Sequence, residues 1–308
     1  MQPIMAIVNP VSHHGKTAKV WPEYERYFRK HGIELEKRFT SYPGHAIELT
    51  RSVLAQGYHQ IMAVGGDGTI NEVANGLYRD NKLINEDSRL IVFSQGTGCD
   101  YIRTLGIDNH VESIVEIIKR NQVKYLDLGK VSYLNHDGIE EERFFVNLAD
   151  TGIGAAVAKL VNESSKVLGG FLTYLLGVLR TLISYKNKKI RVIIDQEEKY
   201  FQYLNSVIIA NGKYFGGGIK IAPEADPESD TFNIVLLKNF NKLQIIINLV
   251  RAYEGTHLKH RLVDSLTGKK IELQIEGNDI SELELDGESV GTLPASFEIL
   301  EKKLPLLV

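Results

Sequence analysis

The sequence predicts an α/β domain followed by a β-rich domain, and three observations predict it. Up to about residue 125, short apolar runs alternate with helix-like patterns, which implies βαβ units around a parallel sheet. After Lys124, strand-like runs follow one another with Asn, Gly and Asp between them, as in an antiparallel sheet or sandwich. The glycine-rich turns of the first part all leave strands. They therefore gather at the carboxyl edge of its sheet, where ligands bind in such folds.

Each element has its own warrant. Ile4-Met5-Ala6-Ile7-Val8 has no polar alternation, as expected of a buried parallel strand. Trp21, Tyr24, Tyr27 and Phe28 then recur at helix spacing. Glu34 to Thr40 is a second strand, and His45 to Gln56 a helix with Ala46, Leu49, Val53 and Leu54 on one side. Ile61 to Val64 is the third strand, Asn71 to Tyr78 the next helix, Leu90 to Phe93 another strand, and Val111 to Arg120 the closing helix. In the second part, strands are expected at Tyr125 to Val131, Glu142 to Asn147, Lys189 to Asp195, Phe201 to Ala210, Phe232 to Leu237, Lys270 to Ile275 and Leu283 to Leu285. Helical inserts are expected at Gly154 to Ser184 and Leu243 to Tyr253. The domains are drawn at 1–125 and 126–296, with no low-complexity linker between them and a cleft expected where they pack.

Composition sets bounds. The 308 residues are 43% hydrophobic and 24% charged, enough for one large or two moderate cores. A net charge of -3 provides no basic field for nucleic acid. The single cysteine, Cys99, excludes an internal disulfide framework and fits a reducing compartment. No apolar run reads as a secretory signal or a spanning helix, so a cytoplasmic protein is expected, one that touches membrane peripherally.

The chemistry starts at Gly65-Gly66-Asp67-Gly68-Thr69, followed by Ile70-Asn71-Glu72-Val73-Ala74-Asn75-Gly76-Leu77. Strand, glycine turn and helix N-terminus together present backbone N–H groups to a phosphate, and Asp67 can reach a phosphate-bound metal. Gly96-Thr97-Gly98-Cys99-Asp100 repeats the arrangement on the next strand end. Asn9-Pro10-Val11-Ser12 leaves the first strand, where an ordinary loop is the plainer reading. Asp286-Gly287-Glu288 is a favoured hairpin turn. Its two carboxylates also suit a base and its orienter at a hydroxyl nucleophile. Three glycines at Gly216 to Gly218 precede an acidic stretch, Ala222 to Asp230, that reads equally as a cation site or a solvated turn. Val167 to Tyr185 is apolar with a basic continuation at Lys186, Lys188, Lys189 and Arg191. It is either a buried helix or the wall of an acyl-chain groove facing anionic headgroups.

These motifs, taken in order, resemble the diacylglycerol kinase catalytic family of lipid kinases. The resemblance rests on Asn9-Pro10-Val11-Ser12, Gly65 to Leu77, Gly96-Thr97-Gly98, Asn211-Gly212 with Gly216 to Gly218, Ala222-Pro223-X-Ala225 and Asp286-Gly287-Glu288. It implies an N-terminal nucleotide-binding domain like that of NAD kinases and phosphofructokinases, and a lipid-facing β-sandwich with helical inserts. A C-terminal segment, 297–308, would return to the first domain. ATP phosphates and Mg2+ would be handled by Gly65, Gly66, Asp67, Gly68 and Thr69, with Asn9, Ser12, Thr40, Gly96 and Thr97 completing the pocket. Asp286 and Glu288 would act at the hydroxyl of a membrane lipid, and a homodimer is compatible. Two departures stand out. The family's Gly-Thr-Gly-Asn-Asp reads Gly96-Thr97-Gly98-Cys99-Asp100 here. Its Asp-Gly after Pro223 reads Ser229-Asp230, which bears on Asp226 and Asp230 as ligands of a structural magnesium. The alternatives are a soluble kinase of the NAD kinase type and a weakly active nucleotide- or lipid-binding regulator.

Overall fold

The computed structural model describes residues 3–96, 98–163, 180–181, 185–277 and 279–308. It forms two compact units, Met1–Leu126 with Lys302–Val308, and Asp127–Glu301. Most of Val167 to Tyr185 lies outside the described residues.

The first unit is built on parallel strands. β1 (Ile4–Val8) pairs with β2 (Leu35–Phe39) on one side and β3 (Gln60–Gly65) on the other, and β3 pairs with β6 (Arg89–Ser94). The returning C-terminal segment adds Leu306 beside Leu90, also parallel. β1 is buried along its whole length, which is why it carries no polar residue. β2 alternates half-buried and exposed side chains and places Lys37 and Arg38 on the sheet edge, where charge discourages further strand pairing. On one face, α1 (Lys16–Lys30) and α5 (Val111–Arg120) bury Trp21, Phe28, Ile114 and Ile118 against Val8, Met62 and Phe93.

Two differences from expectation affect the site. The helix expected at Asn71 to Tyr78 is α3, Asp67–Gly76: it starts four residues early, and Tyr78 lies instead in β4 (Tyr78–Arg79), paired with β5 (Lys82–Leu83). Gly66 is extended (φ -84°, ψ -174°) and serves as N-cap, so the chain turns from strand into helix with no intervening loop. Asp67 then sits in the first turn, where a carboxylate suits the helix dipole. A further short helix, α4 (Asp100–Leu105), follows the second glycine turn.

The second unit is mainly antiparallel. β7 (Val123–Asn135), which enters it from the first unit, pairs with β8 (Glu140–Phe145). β9 (Leu148–Gly152) pairs with β11 (Glu197–Ala210) and with β15 (Glu282–Leu285). β11 also pairs with β10 (Lys188–Ile194) and β12 (Phe232–Lys238), and β12 pairs with β13 (Val263–Gly268). β14 (Lys270–Ile275) joins β10 to β16 (Glu288–Leu307), which folds back on β15. Alternate residues of these strands, among them Ile190, Val192, Phe232, Ile234 and Phe297, form its main core. The helices α6 (Ile153–Glu163) and α7 (Lys242–Glu254) are the described inserts. The strands β9, β13 and β16 were not expected. β9 is completely buried but reads LADTG, and β13 carries Asp264, Ser265 and Thr267, so neither shows the usual alternation, whereas β16 does alternate from Gly291 to Ile299 but is broken by Gly291 and Pro294.

Candidate active site

In the first unit, two glycine turns meet at the carboxyl ends of neighbouring strands. β3 ends at Gly65 and β6 at Ser94, and their parallel register sets these residues side by side. A Cβ on Gly96 would lie 2.8 Å from the Gly66 Cα, so only glycine lets the two backbones come this close. Asp67 joins the turns chemically. Its Oδ2 accepts from the Asp100 N–H and its Oδ1 from the Tyr101 N–H, both at 3.2 Å, so it caps α4. Burial raises the Asp67 carboxyl, and the two N–H groups and Arg103 oppose that rise. A carboxylate offers about four acceptor positions, so acceptor capacity remains after these bonds.

The adjoining residues close around the same edge. The Asn9 amide donates to the Thr69 hydroxyl at 3.1 Å, fixing the end of β1 beside the first turn of α3. Ser12 turns its hydroxyl inward, donating to the Asn9 carbonyl at 2.8 Å and lying 2.6 Å from the Thr17 hydroxyl. Thr40 follows β2 and donates its N–H to the Val8 carbonyl at 2.9 Å. Gly68 lies in the first turn of α3. Thr97 lies outside the described residues.

The rest of the long motif is structural. Glu72 accepts from the Gly44 and Ala46 N–H groups at 2.9 and 3.0 Å and so caps α2 (His45–Ala55). Asn75 donates back to Asn71 within α3 at 2.9 Å. A Cβ on Gly76 would come 2.5 Å from the Thr50 Cβ, which makes this glycine the contact point of α2 and α3.

In the second unit, Asp286 and Gly287 form the two-residue turn between β15 and β16, both at positive φ (48° and 92°). The Asp286 side chain is buried, not displayed at an exposed tip. Its oxygens accept from the N–H groups of Val146, Asn147 and Leu148 at 2.8 to 2.9 Å. Glu288 is held by Arg143, 2.6 Å away, so its described partner is a cation from β8. Arg143 and Asn147 carried no sequence signal. Asn147 nonetheless links this turn to Tyr214 and Asn211, accepting from the Asn211 and Gly212 N–H groups.

A pair of buried acids lies behind the turn. Glu284 and Asp150 are direct cross-strand partners on β15 and β9, 3% and 1% exposed. Burial pushes the Asp150 carboxyl up to about 8. Ser206 and the Ala155 and Thr151 N–H groups only partly offset that rise. Glu284 rises well above the carboxylate range, first through burial and then through Asp150, although it accepts from the Gly287 N–H. Asp150 also borders an apolar cavity of about 80 Å³ whose walls include Ile153, Val157, Phe215 and Leu249.

The acidic stretch is held partly by itself and partly by Asp127 of β7. Asp226 accepts from the Glu228 N–H at 3.0 Å, and the Asp230 N–H donates to Asp127 at 2.8 Å. Among the described residues, no group of three or more His, Cys, Asp or Glu side chains could hold a metal ion.

Comparison with known proteins agrees with this layout. The family described as "Diacylglycerol kinase catalytic domain" matches residues 3–131, and "YegS C-terminal NAD kinase beta sandwich-like domain" matches residues 147–308. The chain belongs to the diacylglycerol kinase-like lipid kinase family. It is 29% identical to the Bacillus subtilis protein named "Putative lipid kinase YtlR", over 98% of this chain and 97% of that one. It is 26% identical to a diacylglycerol kinase of the same species, over 98% of this chain and 95% of the relative. A Bacillus anthracis structure titled "a putative diacylglycerol kinase" shares the fold, with a TM-score of 0.78 at 22% identity, covering 99% of this chain and 94% of that one.

Proposed function

We propose that this chain transfers the γ-phosphoryl group of ATP to a hydroxyl of diacylglycerol or a closely related membrane lipid. The observation that carries the reading is the agreement of both family descriptions, in order along the chain, with two chemically suited sites. The first unit supplies paired glycine turns with a carboxylate between them. The second supplies a buried carboxylate clamped by three N–H groups.

On this reading, backbone N–H groups of the turns at Gly65 to Gly68 and at Gly96 cradle the phosphates. Asn9 and Thr69 hold the strand ends that shape the cradle. The donor set also fits magnesium: Asp67 retains acceptor capacity, and Mg2+ on nucleotide phosphates needs only one or two carboxylates. When bound, the ion would offset charge on the phosphates. Asp286 accepts the proton of the acceptor hydroxyl. Its three N–H donors aim it, and Arg143 holds Glu288 two residues further on. Peripheral contact with a membrane delivers the acceptor. Among the described residues, no helix is long and apolar enough to cross a membrane.

The test is labelled ATP with a panel of dispersed lipids, diacylglycerol included, and NAD as the competing soluble acceptor. Label is expected in lipid alone. Asp286→Asn should lower kcat by about 10²–10⁴-fold with the nucleotide KM unchanged. Label in NAD, or full lipid turnover by that variant, would refute the proposal.

A further inference from the structure

One surface of the second unit plays no part in the chemistry above. Helix α7 (Lys242–Glu254) exposes Leu243, Ile246, Ile247 and Val250 by 66%, 40%, 48% and 67%. Their spacing of three, four and seven residues places them on one stripe of the helix. The opposite stripe is also apolar. Ile245, Leu249 and Ala252 face the interior and line the small cavity that Asp150 borders. A helix lying between core and water usually keeps its outer face polar, whereas here four aliphatic side chains share that face with exposed Lys242, Arg251 and Glu254.

The stripe is not a frayed end. Asn241 and Gln244 form a capping box at the start of α7, and Gly255 closes it in the left-handed conformation (φ 73°). Both ends of the helix are therefore satisfied, and the four side chains are held outward in a fixed array.

Charge identifies the occupant. Between Lys242 and Arg261 the chain carries four lysine and arginine side chains and one carboxylate, Glu254, while Lys238 just before α7 is paired with Asp264. Lys242, Arg251, Lys259 and Arg261 are exposed on and just beyond α7. A second copy meeting this face about a twofold axis would bring like charges together. An anionic bilayer surface matches both features, with aliphatic side chains entering the headgroup and acyl boundary and basic ones meeting phosphates. We infer that the outer stripe of α7 docks this protein on an anionic membrane surface. The inference rests on the lipid-kinase reading only for its biological purpose, because docking is measurable without turnover.

The experiment is co-sedimentation of the full chain, without nucleotide, with vesicles of phosphatidylcholine alone or of phosphatidylcholine and phosphatidylglycerol in equal parts. Binding is expected to the mixed vesicles and to weaken as salt is raised. Ile247→Gln with Val250→Gln should lower partitioning about tenfold or more while leaving the thermal melt unchanged, and Leu243→Gln alone should lower it severalfold. Ile139→Gln, which removes an aliphatic side chain that is 60% exposed elsewhere in the same unit, should have no effect. Wild-type binding that is absent, or that the α7 variants leave unchanged, would overturn the inference. So would a concentration-dependent dimer that the α7 variants dissociate with no change in vesicle binding. Vesicle binding without any lipid phosphorylation would reject the kinase reading and leave docking intact. Phosphorylation of micelle-dispersed lipid with no vesicle binding would do the reverse.

Discussion

Replacing Asp150 by Asn should change how stability depends on pH, and the size of the change follows from its burial. Asp150 is fully enclosed, and its carboxyl rises from an ordinary 3.8 to about 8. The unfolded chain therefore releases this proton near pH 4, while the folded chain keeps it to about pH 8. Between those values the folded state binds the extra proton, so stability falls as pH rises, by about 1.4 kcal/mol per unit. At pH 7 the loss relative to acid is about 4 kcal/mol. The loss is absent below pH 4 and reaches its limit above pH 8. Asparagine cannot ionise, so the variant lacks this slope. Its amide adds a cost or gain of about 1–3 kcal/mol that does not vary with pH. Urea unfolding followed by circular dichroism, on both proteins from pH 5 to 8, yields the difference at each pH, in which other titrating groups cancel. The variant should gain on wild type by about 1 kcal/mol or more for each pH unit. A difference that stays constant across that range would show that the carboxyl is not held protonated, and the reasoning would fail.

Three further outcomes are expected. Gly96→Ala must push the second glycine turn away from Gly66, so nucleotide affinity by calorimetry should fall at least tenfold while the second unit's melting is unaffected. Cys99 holds the left-handed conformation (φ 53°), which asparagine tolerates better than cysteine, so Cys99→Asn should stabilise the first unit by about 0.5–1 kcal/mol in thermal unfolding. Glu72→Ala removes the cap on two N–H groups of α2 and should cost about 2 kcal/mol of stability, with nucleotide affinity retained once the protein is folded.

The legible parts of the fold were those where one residue pattern serves one purpose. β1, β3 and β6 are unbroken apolar runs because helices or chain cover both faces, and each stands within a residue of where the pattern puts it. The start of α3 was misplaced because Gly66, Gly68 and Thr69 are weak helix formers, and tertiary contacts decide their conformation. β9 escaped notice for a related reason. Its polar members Asp150 and Thr151 are buried by pairing on both sides, to β11 and β15, which periodicity cannot reveal. In the site, single motifs marked Asp67 and Asp286, but their partners come from distant segments. Arg143 and the N–H groups of Val146 to Leu148 lie some 140 residues before the turn they hold.

The two departures from the family pattern have a common physical basis. Cys99 stands where the family places Asn, and Asp230 where it places Gly, and both adopt positive φ (53° and 59°). Asn and Gly are the residues that enter this region at least cost, so the family pattern at both points encodes a backbone conformation as well as any contact. Asp230 tolerates its position because aspartate visits the same region and because its N–H is anchored by Asp127. Cys99 has no comparable advantage. It keeps the turn through a 3.2 Å contact from its thiol to the Gly96 carbonyl, and burial raises the thiol above its ordinary range. The local fold therefore survives both exchanges. At Cys99 the main loss is an amide that could hydrogen-bond more strongly than a thiol at the edge of the cradle, so any functional effect should fall on nucleotide affinity before it falls on the Asp286 turn.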